Sequence, residues 1–196
     1  MQRWDLINKF IAERNYKSFL EIGTASGECF NNVIAEEKVS VDPNQNTNAN
    51  YKVTSDKYFA NKKYHKNQSF DIIFIDGLHE AEQAYRDIQN SLTHLNQGGV
   101  IVIHDCAPTS KQMQEPYTNQ HFWTGDVWKA FVKARAELPY EMYVVKQDFG
   151  CGIIDTTQKK KQNTDALPGD ISKMTYEDYV LHPEWMNFVE GMDLHG

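Results

Sequence analysis

Four residues in one stretch of the chain have the types and spacing for proton transfer or cation binding: Asp76, His79, His104 and Asp105. They lie within residues 70–108, FDIIFIDGLHEAEQAYRDIQNSLTHLNQGGVIVIHDCAP, which reads as strand, polar turn, helix, glycine turn, strand. Each apolar run ends in acidic or imidazole side chains. In an open α/β sheet, ligands bind outside the carboxyl ends of the strands. Two neighbouring parallel strands would therefore bring all four side chains to one crevice. Carboxylates there could hold a cation, and an imidazole could move a proton near neutral pH.

The rest of the chain supplies elements to position that crevice. Residues 2–15 have helical spacing, with Ile7, Phe10 and Ile11 on one face and Trp4 a turn earlier. Residues 17–22 form a short strand, and a glycine turn then opens a helix in which Phe30, Val33 and Ile34 keep the helical period. Residues 38–42 are the next strand; 51–54 are a weak one, after which Ser55 caps a short helix. The near-continuous apolar runs 70–76 and 100–103 suit strands covered by helices on both faces. Between them, Ala81, Ala84, Tyr85, Ile88 and Leu92 form a helical stripe, and Asp87 is read as a residue of that helix's surface. Residues 106–124 make a long polar loop ending in aromatics. A helix capped by Thr124 or Asp126 runs to about Leu138, and strands 140–146 and 152–155 form an antiparallel hairpin. This alternation predicts an α/β sheet. It is read as one domain over 1–155, followed at 156–196 by a mobile loop and a short helical appendage of the same domain. The aromatics of 176–188 either pack on the domain or serve a homo-oligomer contact.

Composition narrows the function classes. Lys plus Arg is 20 against 27 Asp plus Glu, a net charge of −7, which disfavours a general nucleic-acid binder needing a basic stripe. Cys29, Cys106 and Cys151 are widely spaced and fit neither a zinc knuckle nor a disulfide framework, so a reduced, cytoplasmic setting is expected. The N-terminus has no signal-type apolar core, and no run approaches the roughly 18 apolar residues of a membrane span.

The turn Glu21-Ile-Gly-Thr-Ala-Ser-Gly27 follows the first strand. Its glycines permit a tight turn and close backbone approach to a ligand. It is neither the dinucleotide fingerprint nor a P-loop. An acid at the strand end is a poor neighbour for a pyrophosphate and a good one for an ammonium or sulfonium. Asp42, about twenty residues on at the end of the second strand, is placed to accept from ribose hydroxyls. The alternative is a β–α turn with two incidental acids.

Glu21-x-Gly23-x-x-x-Gly27, Asp42 and the acidic strand end at Asp76 resemble the class I S-adenosylmethionine-dependent methyltransferases. Asp76-Gly-Leu-His79, Asp87, Gly98-Gly99 and His104-Asp105 resemble more narrowly an IDGxH branch of small-molecule and sugar O-methyltransferases, which includes macrolide-sugar methyltransferases and cephalosporin-hydroxylase-like proteins. The resemblance covers about 17–155. It implies a Rossmann-like, seven-stranded, mostly parallel sheet flanked by helices, with an antiparallel C-terminal hairpin. It also implies that Glu21, Gly23, Thr24, Ser26 and Gly27 cradle the methionine part of S-adenosylmethionine, that Asp42 holds the ribose, that Thr54, Ser55 and Asp56 lie by the adenine, and that Asp76 borders cofactor and metal.

Methyl transfer to a hydroxyl needs an aligned acceptor and removal of its proton, by a base, a metal or both. The resemblance implies a divalent cation, magnesium or manganese, at Asp76, Asp105 and His104, with His79 as the base. His104 departs from a family position that is often a second acid; manganese, iron or zinc tolerate nitrogen better than magnesium does. Bland alternatives stand beside each role. His79 could cap the following helix, and Asp105 could order its loop. His104 could pack under the sheet, because strand neighbours face opposite sides unless the strand has ended. Gln120, His121, Phe122 and Trp123 offer an aromatic platform for a sugar ring, or core cover. The expected function is O-methylation of a small hydroxylated or sugar-containing acceptor. The alternatives are a metal-dependent hydroxylase-like enzyme on the same fold, or a cofactor-binding interaction module without catalysis.

Overall fold

A computed structural model describes residues 1–115, 123–160 and 170–191. The element order is α1 (Arg3–Arg14), β1 (Ser18–Ile22), α2 (Glu28–Asn32), β2 (Glu37–Val41), α3 (Ser55–Phe59), α4 (Lys62–His65), β3 (Phe70–Ile75), α5 (Ala81–Leu92), β4 (Leu95–Ile103), α6 (Val127–Glu137), β5 (Tyr140–Val145), β6 (Cys151–Lys159), α7 (Tyr176–Leu181) and β7 (Phe188–Val189). The seven strands form one sheet in the order β2-β1-β3-β4-β6-β5-β7. The pairs β1–β2, β1–β3, β3–β4 and β5–β7 are parallel; β4–β6 and β5–β6 are antiparallel. This is the expected Rossmann-like sheet with its antiparallel hairpin. The order reverses between β1 and β3, so their carboxyl ends flank the switch point where such sheets open a crevice.

The apolar strands are explained by their two covered faces. Ile73, Ile75, Ile101 and Ile103 pack with Ala84 and Ile88 of α5 and with Trp128 and Phe131 of α6. The alternate residues Ile72, Phe74, Val100 and Val102 pack against Leu6, Ile7, Phe10 and Ile11 of α1. Burial of side chains the size of Trp128 or Phe131 stabilises by about 1.5–3 kcal/mol each. α1 is pinned at both ends. Arg3 pairs with Asp148 in the β5–β6 turn, and Arg14 meets both carboxylate oxygens of Asp155 on β6.

Several local expectations are corrected. The helix after the glycine turn stops at Asn32, where Val33 turns extended, so Ile34 is left exposed. Residues 51–54 make no strand; Tyr51 forms a single bridge to Val41. Thr54 rather than Ser55 caps α3, its hydroxyl accepting from the Lys57 amide. Asp126 precedes α6 without a side-chain cap bond there, because its carboxylate accepts from the Ala81 amide instead. β6 runs past 155 to Lys159, and the C-terminal segment adds β7 to the sheet beside β5. Gln120, His121 and Phe122 of the aromatic platform, and 161–169 of the expected mobile loop, lie outside the described residues.

Candidate active site

The switch point is closed tightly. The Asp76 amide donates to the Ile22 carbonyl, and a Cβ on Gly23 (φ +89°) would lie 2.0 Å from the Asp76 carbonyl oxygen. Only glycine fits there, because the backbone is left-handed and the neighbouring strand end occupies the side-chain volume. Gly27 also takes positive φ and starts α2. Beneath this turn lies a cavity of about 500 Å³, lined by Gly23, Ala25, Asp42, Thr54, Ser55 and Asp76 among others. That size is within the range of small-molecule and cofactor sites.

The cofactor residues expected from sequence divide. Gly23, Asp42, Ser55 and Asp76 line the cavity. Thr24, Ser26 and Gly27 do not, although Ala25 between them does. Asp56 is turned away, pairing with Arg86 and accepting from Gln83. Glu21 is buried behind the turn at 1% exposure, and its Oε2 has no hydrogen-bond partner. Burial pushes its carboxyl up to about 8. Asp42 organises the turn itself, accepting from the amides of Thr24, Ala25 and Asn44. A carboxylate offers about four lone-pair sites, so one remains for a ligand hydroxyl.

Asp87 overturns its reading as a helix-surface residue. It is 1% exposed, lines the cavity, and its Oδ1 accepts from Gln83. Burial raises its carboxyl to about 6, against the lowering effect of hydrogen bonds from Ser55 and Gln83. Helical spacing put it near the apolar stripe, but spacing alone could not show that the stripe's edge meets a polar cavity.

Asp76 and His79 also line a second, smaller cavity of about 240 Å³ with Arg3, His104, Asp105, Trp123 and Phe149. Ligand-capable atoms of Asp76, His79 and Asp105 all lie within 4.8 Å of one another. His79 Nε2 is 3.2 Å from Asp105 Oδ2 and 3.5 Å from Asp76 Oδ1. His104 Nδ1 is 3.1 Å from Asp105 Oδ2 and 3.2 Å from Asp76 Oδ1, so all four residues of the sequence-derived constellation meet. His104 and Asp105 can share a centre because β4 has ended: Asp105 is left-handed at φ +62°, a conformation Asp tolerates better than most residues.

His79 does not cap α5. Its Nδ1 lies 3.0 Å from the Trp123 carbonyl, which can only accept, so Nδ1 carries the proton. In the neutral ring Nε2 then presents a lone pair to two carboxylates. That arrangement calls for a proton or a cation between them. Burial opposes charging, but Asp76 and Asp105 raise the His79 and His104 imidazoles above their usual range. Likewise, burial opposes ionisation of Asp76, yet the two imidazoles hold its carboxyl well below the ordinary value. The His79 loop is braced by Gly125, where a Cβ would lie 1.7 Å from the His79 carbonyl oxygen.

Arg3, Asp148 and Phe149 were not found from sequence. Arg3 Nε lies 3.8 Å from Asp76 Oδ2, and Arg3 also binds Asp148, whose Oδ1 is 3.5 Å from His104 Nε2. No local motif marks these residues; the hairpin turn and the start of α1 meet the site only through the tertiary fold.

Residues 20–106 match the model of a family described as a methyltransferase domain. No curated protein matches the chain. Among solved structures, it is similar to an O-methyltransferase from Bacillus cereus in complex with SAH, at 14% identity over 78% of this chain and 80% of that one, with a TM-score of 0.59. It is similar to the O-methyltransferase TomG from Streptomyces achromogenes, involved in tomaymycin synthesis and in complex with SAM, at 13% identity over 80% of each chain and a TM-score of 0.59. It also resembles the MycE methyltransferase of the mycinamycin biosynthetic pathway, in complex with Mg, SAH and mycinamycin VI, at 13% identity over 84% of this chain and 50% of that one, with a TM-score of 0.52. The chain therefore has the fold of the O-methyltransferases. Among the described residues, no helix is long and apolar enough to cross a membrane.

Proposed function

We propose that this protein is an S-adenosylmethionine-dependent O-methyltransferase acting on a hydroxyl of a small acceptor, such as a sugar or another hydroxylated compound, with the help of a divalent cation. One observation carries the reading: Asp76 and His79 line both the cofactor-sized cavity under the glycine turn and the smaller cavity beside the acid–imidazole cluster. A methyl donor in the first and an acceptor in the second would meet at those two residues.

The residues present fit both groups. Gly23 leaves the space that a backbone-hugging ligand needs, the buried Glu21 Oε2 lacks a partner, and one acceptor site remains on Asp42. When bound, S-adenosylmethionine supplies an electrophilic methyl on a sulfonium, attracted to a mouth lined by carboxylates. Asp76, Asp105 and His104 would hold a dication, which supplies positive charge favouring the ionised acceptor oxygen.

The chain's own groups do the rest. His79 Nε2, fixed in direction by the Nδ1–H bond to the Trp123 carbonyl, takes the acceptor's proton. Asp76 and Asp105 stabilise the imidazolium that results. Trp123, its ring 4.9 Å from that of His79, and Phe149 wall the acceptor cavity and limit water. Ser55 and Asp87 offer hydrogen-bonding groups deeper in the donor cavity. An acceptor oxygen held beside Asp76 and His79 would be aligned for in-line displacement at the methyl that the donor, when bound, supplies.

Calorimetry with SAH, followed by mass-spectrometric detection of methyl transfer to a panel of hydroxylated and glycosidic acceptors, tests the proposal. Micromolar SAH binding with a mass gain of one methylene supports it. No binding of SAM or SAH would end it, and SAH binding with no transfer across the panel would favour a binding module.

A further inference from the structure

We propose that the cation site is built for a first-row transition-metal dication rather than magnesium, with His104 as a ligand and Asp148 as the residue that positions its imidazole. This rests on the metal-assisted reading above and deepens it.

Acids alone would not identify a metal site. The second observation is His104. Its side chain is 7% exposed, and neither ring nitrogen has a hydrogen-bond partner. Nδ1 nevertheless points into the gap between Asp76 Oδ1 and Asp105 Oδ2, at 3.2 and 3.1 Å. These approaches are close enough for ion pairs but misaligned for N–H···O bonds. Both nitrogens are buried without an aligned hydrogen-bond partner, which leaves the ring poorly satisfied by protein groups alone. A cation shared by the three atoms meets the geometry better. Ligands held at about 2.0–2.2 Å from one ion stand roughly 3–3.5 Å from their neighbours, which is the separation of His104 Nδ1 from each of the two carboxylate oxygens.

The other side of the ring supports the same assignment. His104 Nε2 faces Asp148 Oδ1 at 3.5 Å. Metal-binding histidines usually present their second nitrogen to a carboxylate, which fixes the tautomer and strengthens the ligand. Asp148 is itself held in place, its Oδ2 accepting from the Arg3 backbone amide at 2.8 Å and its carboxylate pairing with the Arg3 guanidinium. Were the ring's proton on Nε2, on the Asp148 side, Nδ1 would offer a lone pair to a cation held by the carboxylate oxygens of Asp76 and Asp105. A buried imidazole among two carboxylates suits manganese, iron, cobalt or zinc; magnesium prefers oxygen and keeps its waters.

The test titrates the metal-stripped full chain with Co²⁺ and with Mg²⁺, following heat and the cobalt visible spectrum, in the presence and absence of SAH. Because most nitrogen–oxygen sites favour cobalt, the variants decide the matter. His104→Glu should cut Co²⁺ affinity at least tenfold, raise Mg²⁺ affinity, and remove the imidazole signature from the spectrum. Asp148→Asn should weaken Co²⁺ about 10–100-fold, with SAH affinity and melting temperature little changed. Co²⁺ affinity unaltered by both variants, or Mg²⁺ binding as tightly as Co²⁺ in the unaltered chain, would overturn the proposal. Failure of SAH to bind would instead strike the methyltransferase reading, and the metal titration without SAH would still report on this one.

Discussion

His104 and Asp105 are consecutive residues whose side chains meet, Nδ1 to Oδ2 at 3.1 Å, over the same carboxylate of Asp76. Alternation along β4 would send them to opposite faces. The left-handed backbone at Asp105, just past the strand end, swings its carboxylate back to the ring. The carboxyl end of a central strand thereby brings two adjacent side chains to one centre.

Under the proposed function, His79 is the base. His79→Ala should lower methyl transfer about 10²–10⁴-fold while SAH affinity changes only a few-fold. It should also remove the acidic limb of the pH–rate profile that belongs to imidazole deprotonation. Because the proposed metal site uses Asp76, Asp105 and His104, cobalt affinity in this variant should fall by less than in His104→Ala. Steady-state kinetics and metal titration on the same preparations check both.

Gly23 takes a left-handed backbone against the Asp76 carbonyl. Gly23→Ala forces β1 and β3 apart where the donor would lie. SAH binding should be lost, and the melting temperature should drop by several degrees, as expected for a cost of about 1–3 kcal/mol. A variant that binds SAH normally would show that the turn has room to relax.

Glu21 carries a testable pH signature. Its folded value is raised to about 8, whereas an unfolded glutamate ionises near 4.5. Between those values the folded chain holds a proton the unfolded chain has lost, so burial of Glu21 erodes stability as pH rises through that window. Glu21→Gln should leave the ligand-free melting temperature nearly unchanged at pH 4.5 and raise it at pH 8. Under the proposed function, in which the unpartnered Oε2 meets the ligand's ammonium, the same substitution should weaken S-adenosylmethionine binding. Scanning calorimetry at the two pH values and a binding titration separate these effects.

Asp155 works in the opposite sense. Burial resists its ionisation, but hydrogen bonds from Arg14 and Thr157 lower its carboxyl below the ordinary value. Its contribution is present above about pH 4 and is lost as pH falls through the lowered value. Asp155→Asn should cost about 1–3 kcal/mol at neutral pH and flatten the acid limb of the stability curve. Urea melts at pH 7 and pH 3 give the comparison.

Much of this was legible in the chain because local pattern and chemistry agreed. The apolar runs at 70–76 and 100–103, closed by polar residues, announced β3, β4 and the four-residue cluster. Gly23 was legible because a β–α turn at a switch point needs its backbone freedom. Asp87 was not, since its side chain sits at the margin of the α5 stripe and only the packing of α5 beside α3 makes that margin a cavity wall. Arg3 and Asp148 were invisible for a similar reason: they are 145 positions apart and meet only when α1 lies across the sheet. Ile34 misled because helical spacing continued beyond the point where Val33 turns extended.

β7 contributes just Phe188 and Val189, yet it is the strand that covers the outer edge of β5. It is supported by the Asn187 side chain donating to the Met142 carbonyl and by the Lys146–Glu190 pair. An uncovered strand is a template for pairing with another chain. Removing residues from 187 onward should therefore bare the amides and carbonyls of β5 while leaving both cavities intact. Such a shortened chain is expected to retain SAH binding at low concentration and to self-associate as concentration rises, which light scattering would detect. On this account the two-residue strand shields the outer edge of β5 from pairing with another chain.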